Sequence, residues 1–195
     1  PNVVTGEAQF DVSDNGFVTF QASDKAKLVL FTAKALDFLS LGGISDGSLF
    51  AQNVRLNLGN TKVNKDISGT ISNKSKHIFF PMYHNGITII CRKVEPGDKI
   101  KIFDYVVVNG AQSLTVLNRM RSKVSDDLRL VAKIIEIEDN EEFAREITLA
   151  SNNQNAIKPR DQRSTNILQT RLAAEFEEID FEGFRYVIKR GQDET

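Results

Sequence analysis

Cysteine is all but missing from this chain: Cys91 stands alone, so no internal disulfide can brace the fold. It lies in the apolar run Ile87-Thr88-Ile89-Ile90-Cys91, where it reads as a small buried hydrophobe rather than a reactive thiol. A lone buried cysteine fits a reducing compartment. An excess of charge of either sign is missing too, with Lys+Arg 25 against Asp+Glu 26. No overall positive field recruits nucleic acid, and any such contact must come from a local patch. Apolar runs all fall far short of the roughly 20 residues a membrane helix needs, and Pro1-Asn2-Val3 carries no charged-then-apolar leader. A cytoplasmic protein with no membrane partner is expected. Proline is scarce as well, at 4 in 195 residues with 41% of them hydrophobic, so one good core and a single domain are expected.

Enzyme signatures are the next absence. His77 and His84 have neither a second cysteine nor His-x-x-x-His spacing beside them, so no zinc site is expected. There is no Gly-x-Ser-x-Gly elbow and no Gly-x-x-x-x-Gly-Lys-Ser/Thr phosphate loop. Glu136, Glu138 and Asp139 fall in a stretch expected to be a strand end and the first turn of a helix, where acidic residues suit the helix dipole without catalytic duty. No metal and no particular cofactor follow from these residues, and no catalytic residue can be named. A self-sufficient nuclease would need Asp104, Glu136 and Glu138 to converge on a cation.

What is present is a clear alternation of strand and helix patterns. Residues 8–22 are two alternating runs around Asp14-Asn15-Gly16, which predict a hairpin. Residues 23–43 place Leu28, Phe31, Ala35 and Leu39 at helical spacing behind Ser23 or Asp24, with Gly42-Gly43 as the stop, which predicts a largely buried helix. Asn64 is expected to cap a helix carrying Ile67 and Ile71. Apolar runs at 78–80, 87–94 and 99–108, broken by His84-Asn85-Gly86 and Glu95-Pro96-Gly97-Asp98, predict strands. A helix with Leu114, Leu117 and Met120 on one face follows, then a strand over 128–137 and a helix with Phe143, Ile147 and Ala150 inward. A longer helix with Leu168, Leu172 and Phe176 and a strand over 184–190 close the chain. The expected fold is α+β, a mixed or antiparallel sheet with helices packed mainly on one face.

Three amide-rich turns remain once this scaffold is removed: Tyr83-His84-Asn85-Gly86, Val108-Asn109-Gly110-Ala111-Gln112-Ser113, and Ser151-Asn152-Asn153-Gln154-Asn155. Asn and Gly tolerate left-handed backbone angles, so each turn has a purely structural explanation. Each also lies where an element starts or stops, and the N-terminus of the helix after Gly110 could hold an anion on its backbone N–H groups. Asn and Gln side chains pair bidentately with adenine, while Arg55, Lys158, Arg160 and Arg163 could reach phosphates. Amides lining one open cleft would favour ligand binding, and amides bonded inward to backbone would favour a bracing role.

The same turns, with the segment Leu49 to Ile67, the strand His84-Asn85-Gly86-Ile87-Thr88-Ile89, the turn Val108 to Gln112 and the helix end Ser151 to Asn155, resemble the AIPR proteins (abortive infection, phage resistance) in four ordered matches over residues 49–189. The resemblance implies an AIPR-like core over 49–190 behind an N-terminal hairpin and helix over 1–45, in a piece of a longer protein. It implies a nucleotide- or nucleic-acid-binding domain of a prokaryotic defence system, with other defence proteins as partners. Any nuclease or nucleotide hydrolase activity would then be aided by another segment or a partner. The alternative is an interaction scaffold whose amide loops brace each other. More distantly, the turn after Val108 is similar to the Asp-Gly-x-Gln/His-Arg box of ParB-like domains, with Asn109 in place of the Asp and Ser113 in place of the Arg. A neutral Asn at that position can donate to and accept from a phosphate ester but cannot act as a general base at neutral pH.

Overall fold

The computed structural model describes residues 4–50, 62–138 and 140–153. The chain divides after Asn152, and the fold below is that of the unit Pro1–Asn152. The anticipated helix and strand beyond residue 160 lie outside the described residues. Six strands form one mixed sheet: β1 (Val4–Asp11), β2 (Phe17–Ser23), β3 (Ala26–Lys34), β4 (Ile87–Glu95), β5 (Lys99–Asn109) and β6 (Arg129–Ile137), in the order β1-β5-β4-β6-β3-β2. Only β4 and β6 run parallel, from Ile87 opposite Ala132 to Cys91 opposite Glu136; the other neighbours are antiparallel. The helices are α1 (Ala35–Phe38), α2 (Lys62–Ser72), α3 (Phe80–Tyr83), α4 (Ala111–Arg119) and α5 (Glu141–Asn153).

The sheet curls. Phe10 on β1 and Phe31 on β3 have ring centroids 5.3 Å apart, although three strands separate them in the sheet. In a flat sheet they would stand about 19 Å apart, at roughly 4.8 Å per strand. Phe10 also meets Phe38 of α1 at 4.7 Å, and Val29, Ile89, Ile102, Val107 and Ile134 complete the concave core with Ile67 and Ile71 of α2 and Leu114 and Leu117 of α4. The opposite face carries a smaller cluster, Ile90, Val106, Val108, Ile135 and Ile137, covered by Ala144 and Ile147 of α5.

This curl corrects the first two sequence expectations. Asp14-Asn15-Gly16 does turn the chain, with the Gly16 N–H donating to Val12 O at 2.7 Å and Gly16 at φ +66°. It joins the two opposite edges of the sheet rather than a hairpin, because turn chemistry fixes a reversal and not which strands then pair. The hairpin is β2 with β3, around Asp24-Lys25. Residues 26–34 are a strand and not a helix: Val29, Phe31 and Ala33 point to the core at period two, and nine consecutive residues pair with β6. Only Ala35–Phe38 is helical.

Residues 78–80 are also not a strand. Lys74–Phe79 is a 3₁₀ segment capped by Asn73, whose side chain accepts from the Ser75 N–H, and it runs into α3 with Pro81 in the first turn. Ile67 and Ile71 are buried as expected, but Asn64 lies within α2 and does not cap it. On α5 the buried or half-buried face is Ala144, Ile147, Thr148, Ser151 and Asn152, while Phe143 and Ala150 face solvent. The strands over 87–94, 99–108 and 128–137 and the α4 helix stand where the sequence places them.

Candidate functional site

β4 begins where β5 ends, because the two are antiparallel, with Thr88 opposite Asn109. Two of the amide-rich turns therefore meet at one end of the sheet. Gly110 sits at φ +98° between β5 and α4, and a Cβ there would lie 2.5 Å from Ile87 Cδ1 and 3.2 Å from Gly86 O. A Cβ on Gly86 would lie 2.4 Å from Val131 O on β6. The two glycines thus let three backbones close on one another, and Gly110 also needs the left-handed angle that L side chains resist.

The third motif arrives through α5. Asn109 Nδ2 donates to Ser151 O at 3.0 Å, satisfying a carbonyl in the last turn of that helix. Asn152 is buried and its Nδ2 donates to Thr148 O at 2.8 Å, within its own helix. Both amides are turned inward to backbone. Ser113 is buried on α4. Gln112 is half-buried in the first turn of α4, and among the described residues its side chain makes no hydrogen bond. Asn85 is exposed on the chain leading into Gly86. Gly110 supplies no capping side chain, so the N–H groups of Ala111 to Ser113 stay outside the helical ladder that begins with Leu114 N–H to Gly110 O. Asn153 is described only as the last residue of α5, and Arg55, Gln154, Asn155, Lys158, Arg160 and Arg163 lie outside the described residues.

The remaining ionisable candidates have structural partners. His77 is fully buried, with Nδ1 2.7 Å from Ser125 Oγ and Nε2 2.8 Å from Ile71 O. His84 Nε2 is 2.9 Å from Thr70 Oγ1, and burial holds its pKa below the usual histidine value, partly offset by the nearby Asp66 carboxylate. Burial and the neighbouring Glu136 push the Cys91 thiol up to about 12, as expected of a buried hydrophobe. Glu136 is held by Lys27 at 3.1 Å and accepts the Val94 N–H at 2.6 Å. Asp104, at φ +49°, accepts the Gly6 N–H at 3.3 Å and faces Arg92 at 3.7 Å. Among the described residues no three His, Cys, Asp or Glu side chains converge as a metal would need. No helix among them is long and apolar enough to cross a membrane. A cleft of 480 Å³ opens along the β1 edge, lined by Glu7, Gln9, Asp11, Asp37, Ser40 and Lys99, none of them in the amide motifs. Hydrogen bonds from Ser13 hold Asp11 there below the usual carboxylate range.

Sequence reasoning located the turns but not the direction of their amides. It also missed the inward bond from Asn109 to α5, which no local pattern signals because 42 residues separate the partners. A family model described as AIPR protein matches residues 50–195. Neither the curated proteins nor the solved structures contain a match.

Proposed function

The chain belongs to the AIPR family, whose name denotes abortive infection and phage resistance, and on that premise we propose that it is a nucleotide- or nucleic-acid-binding domain of a prokaryotic anti-phage defence protein working in the cytoplasm. The supporting observation is the meeting of Asn85-Gly86 with Asn109-Gly110 at one end of the sheet, with Gln112 half-exposed and, among the described residues, without a hydrogen bond from its side chain. In this reading the residues divide by task. Gly86 and Gly110 build the turn, Asn109 fastens α5 to it, and Asn152 braces the last turn of α5 itself. Gln112 presents its amide to the ligand, Asn85 and Gly86 lie on the chain that meets the turn, and the N–H groups of Ala111 to Ser113 favour an anion at the positive end of α4. Ser113 adds its backbone N–H to that end of α4, and the other amides and arginines named from the sequence lie outside this reading. Other defence-system proteins are the natural partners.

A second reading rests on the bond from Asn109 to Ser151 O: the amides are braces, and the domain is a protein-interaction scaffold. Titrating wild type and Gln112→Ala with labelled nucleotides and short DNA at matched salt separates the two. Weaker binding by a folded Gln112→Ala supports the first reading. Equal affinity clears Gln112 and leaves the scaffold.

A further inference from the structure

The segment Lys74 to His84 has two sides. A 3₁₀ helix brings residues three apart into register, and an α-turn brings those three or four apart together. One row is therefore His77, Phe80 and His84, and the next is Lys76, Phe79 and Tyr83. The first row faces in: His77 and Phe80 are buried, Phe80 and His84 have ring centroids 4.4 Å apart, and the two imidazoles are held by Ser125, Ile71 and Thr70. The second row faces out. Phe79 is 44% exposed and Tyr83 57%, with ring centroids 6.2 Å apart, and Ile78 and Met82 beside them are 64% and 78% exposed. So much apolar surface in water on a short, well-anchored segment marks an interaction site.

Charge says what fits there. From Lys62 to Val94 the only carboxylate in the sequence is Asp66, although the whole chain is nearly neutral. Lys62, Lys65, Lys74 and Lys76 are exposed, and none of them is in a salt bridge among the described residues. Exposed rings interleaved with unpaired lysines suit a polyanion that also offers flat faces, and unpaired nucleobases are such faces. A duplex keeps its base faces stacked inside. The geometry points to the Lys76–Phe79–Tyr83 row, with Ile78 and Met82, as a stacking platform for single-stranded nucleic acid. It rests on the nucleic-acid reading above and deepens it, since Tyr83 leads within three residues into Gly86, whose carbonyl adjoins Gly110. The platform continues the same site outward from the turn. The inward row makes it rigid, so little ordering is needed when bases stack on it.

The test is fluorescence anisotropy of the full chain with a labelled oligothymidylate of about 20 nucleotides, its duplex counterpart, a mononucleotide and a polyglutamate peptide, at about 50 and 200 mM salt. The single strand is expected to bind more tightly than the duplex. Phe79→Ala with Tyr83→Ala should weaken it roughly 10- to 100-fold without changing net charge. Lys76→Gln should lower the salt slope by about 0.7. Phe20→Ala on the exposed β2 edge is the control and should bind as wild type, and circular dichroism checks that each variant is folded. A folded double variant with wild-type affinity overturns the platform, while loss on Gln112→Ala in the same assay would leave the turn's role standing. Mononucleotide binding without oligonucleotide binding likewise overturns the platform alone. No binding of either overturns both. Polyglutamate captured in place of the oligonucleotide, and lost in the double variant, reassigns the row to an acidic protein and overturns the inference.

Discussion

The turn at Asn109-Gly110 and the segment Lys74 to His84 are neighbours that invert what the sequence suggests of them. The turn is rich in polar groups and reads as chemistry, yet Asn109 and Asn152 spend their amides on backbone carbonyls and Gly110 spends its freedom on a close approach to Ile87. The segment reads as an apolar strand, yet Phe79, Met82 and Tyr83 stand in solvent beside lysines. The lesson is that a polar side chain near a helix end meets an unsatisfied carbonyl before it meets a ligand, because a buried orphan costs about 1–3 kcal/mol. An exposed ring has no such internal claim on it.

If the turn is construction and the row is surface, substitutions in the two regions should differ most in stability. Gly110→Val is expected to do the greatest damage, roughly 3–5 kcal/mol, from the left-handed angle together with a Cβ driven into Ile87. Chemical denaturation measures it, and a loss under about 1 kcal/mol would mean the turn is not built this way. Asn109→Ala should cost about 1 kcal/mol and speed amide exchange along α5, since it removes the fastening at Ser151. Unchanged exchange on α5 would show that the helix is held by Ala144 and Ile147 alone.

Two smaller effects sharpen the contrast. His84 has its pKa lowered by burial, so the unfolded chain takes up a proton at higher pH than the folded one. The contribution of the neutral imidazole is whole above the unfolded value of about 6.5 and declines as the pH falls through it. Denaturation midpoints between about pH 7 and 5 should drop, and should drop less in His84→Gln; equal slopes would refute the assignment. Least of all, Met82→Ala and Ile78→Ala should move stability by no more than about 0.5 kcal/mol, because both side chains are mostly in water. A larger loss would place those side chains in a core.

How far the sequence carries this picture depends on how each element is held. β4 and β5 were legible because Glu95-Pro96-Gly97-Asp98 separates two apolar runs that pair with each other, and α4 because Leu114 and Leu117 have no second period to fit. Residues 26–34 were not: Leu28, Phe31 and Ala35 fit a helix while Val29, Phe31 and Ala33 fit a strand. The tie is broken by β6, a hundred residues away. On α5, Ile147 faces the sheet as the spacing suggests, but its companion there is Ala144, while Phe143 and Ala150 are exposed. The position of Gly110 and its positive φ were readable from Asn-Gly after a strand. The exposed row was not, although the run from Ile67 to Val94 without a carboxylate was a signal available in the sequence alone.

Hydrogen exchange of the full chain, alone and saturated with a single-stranded oligonucleotide, tests the central claim most directly, because it reports where the ligand lies rather than only whether it binds. The account predicts slowed exchange over residues 74–86 and over 110–113, with β2 unchanged. Exchange unaltered at both segments, or protection confined to the β2 edge, would contradict it.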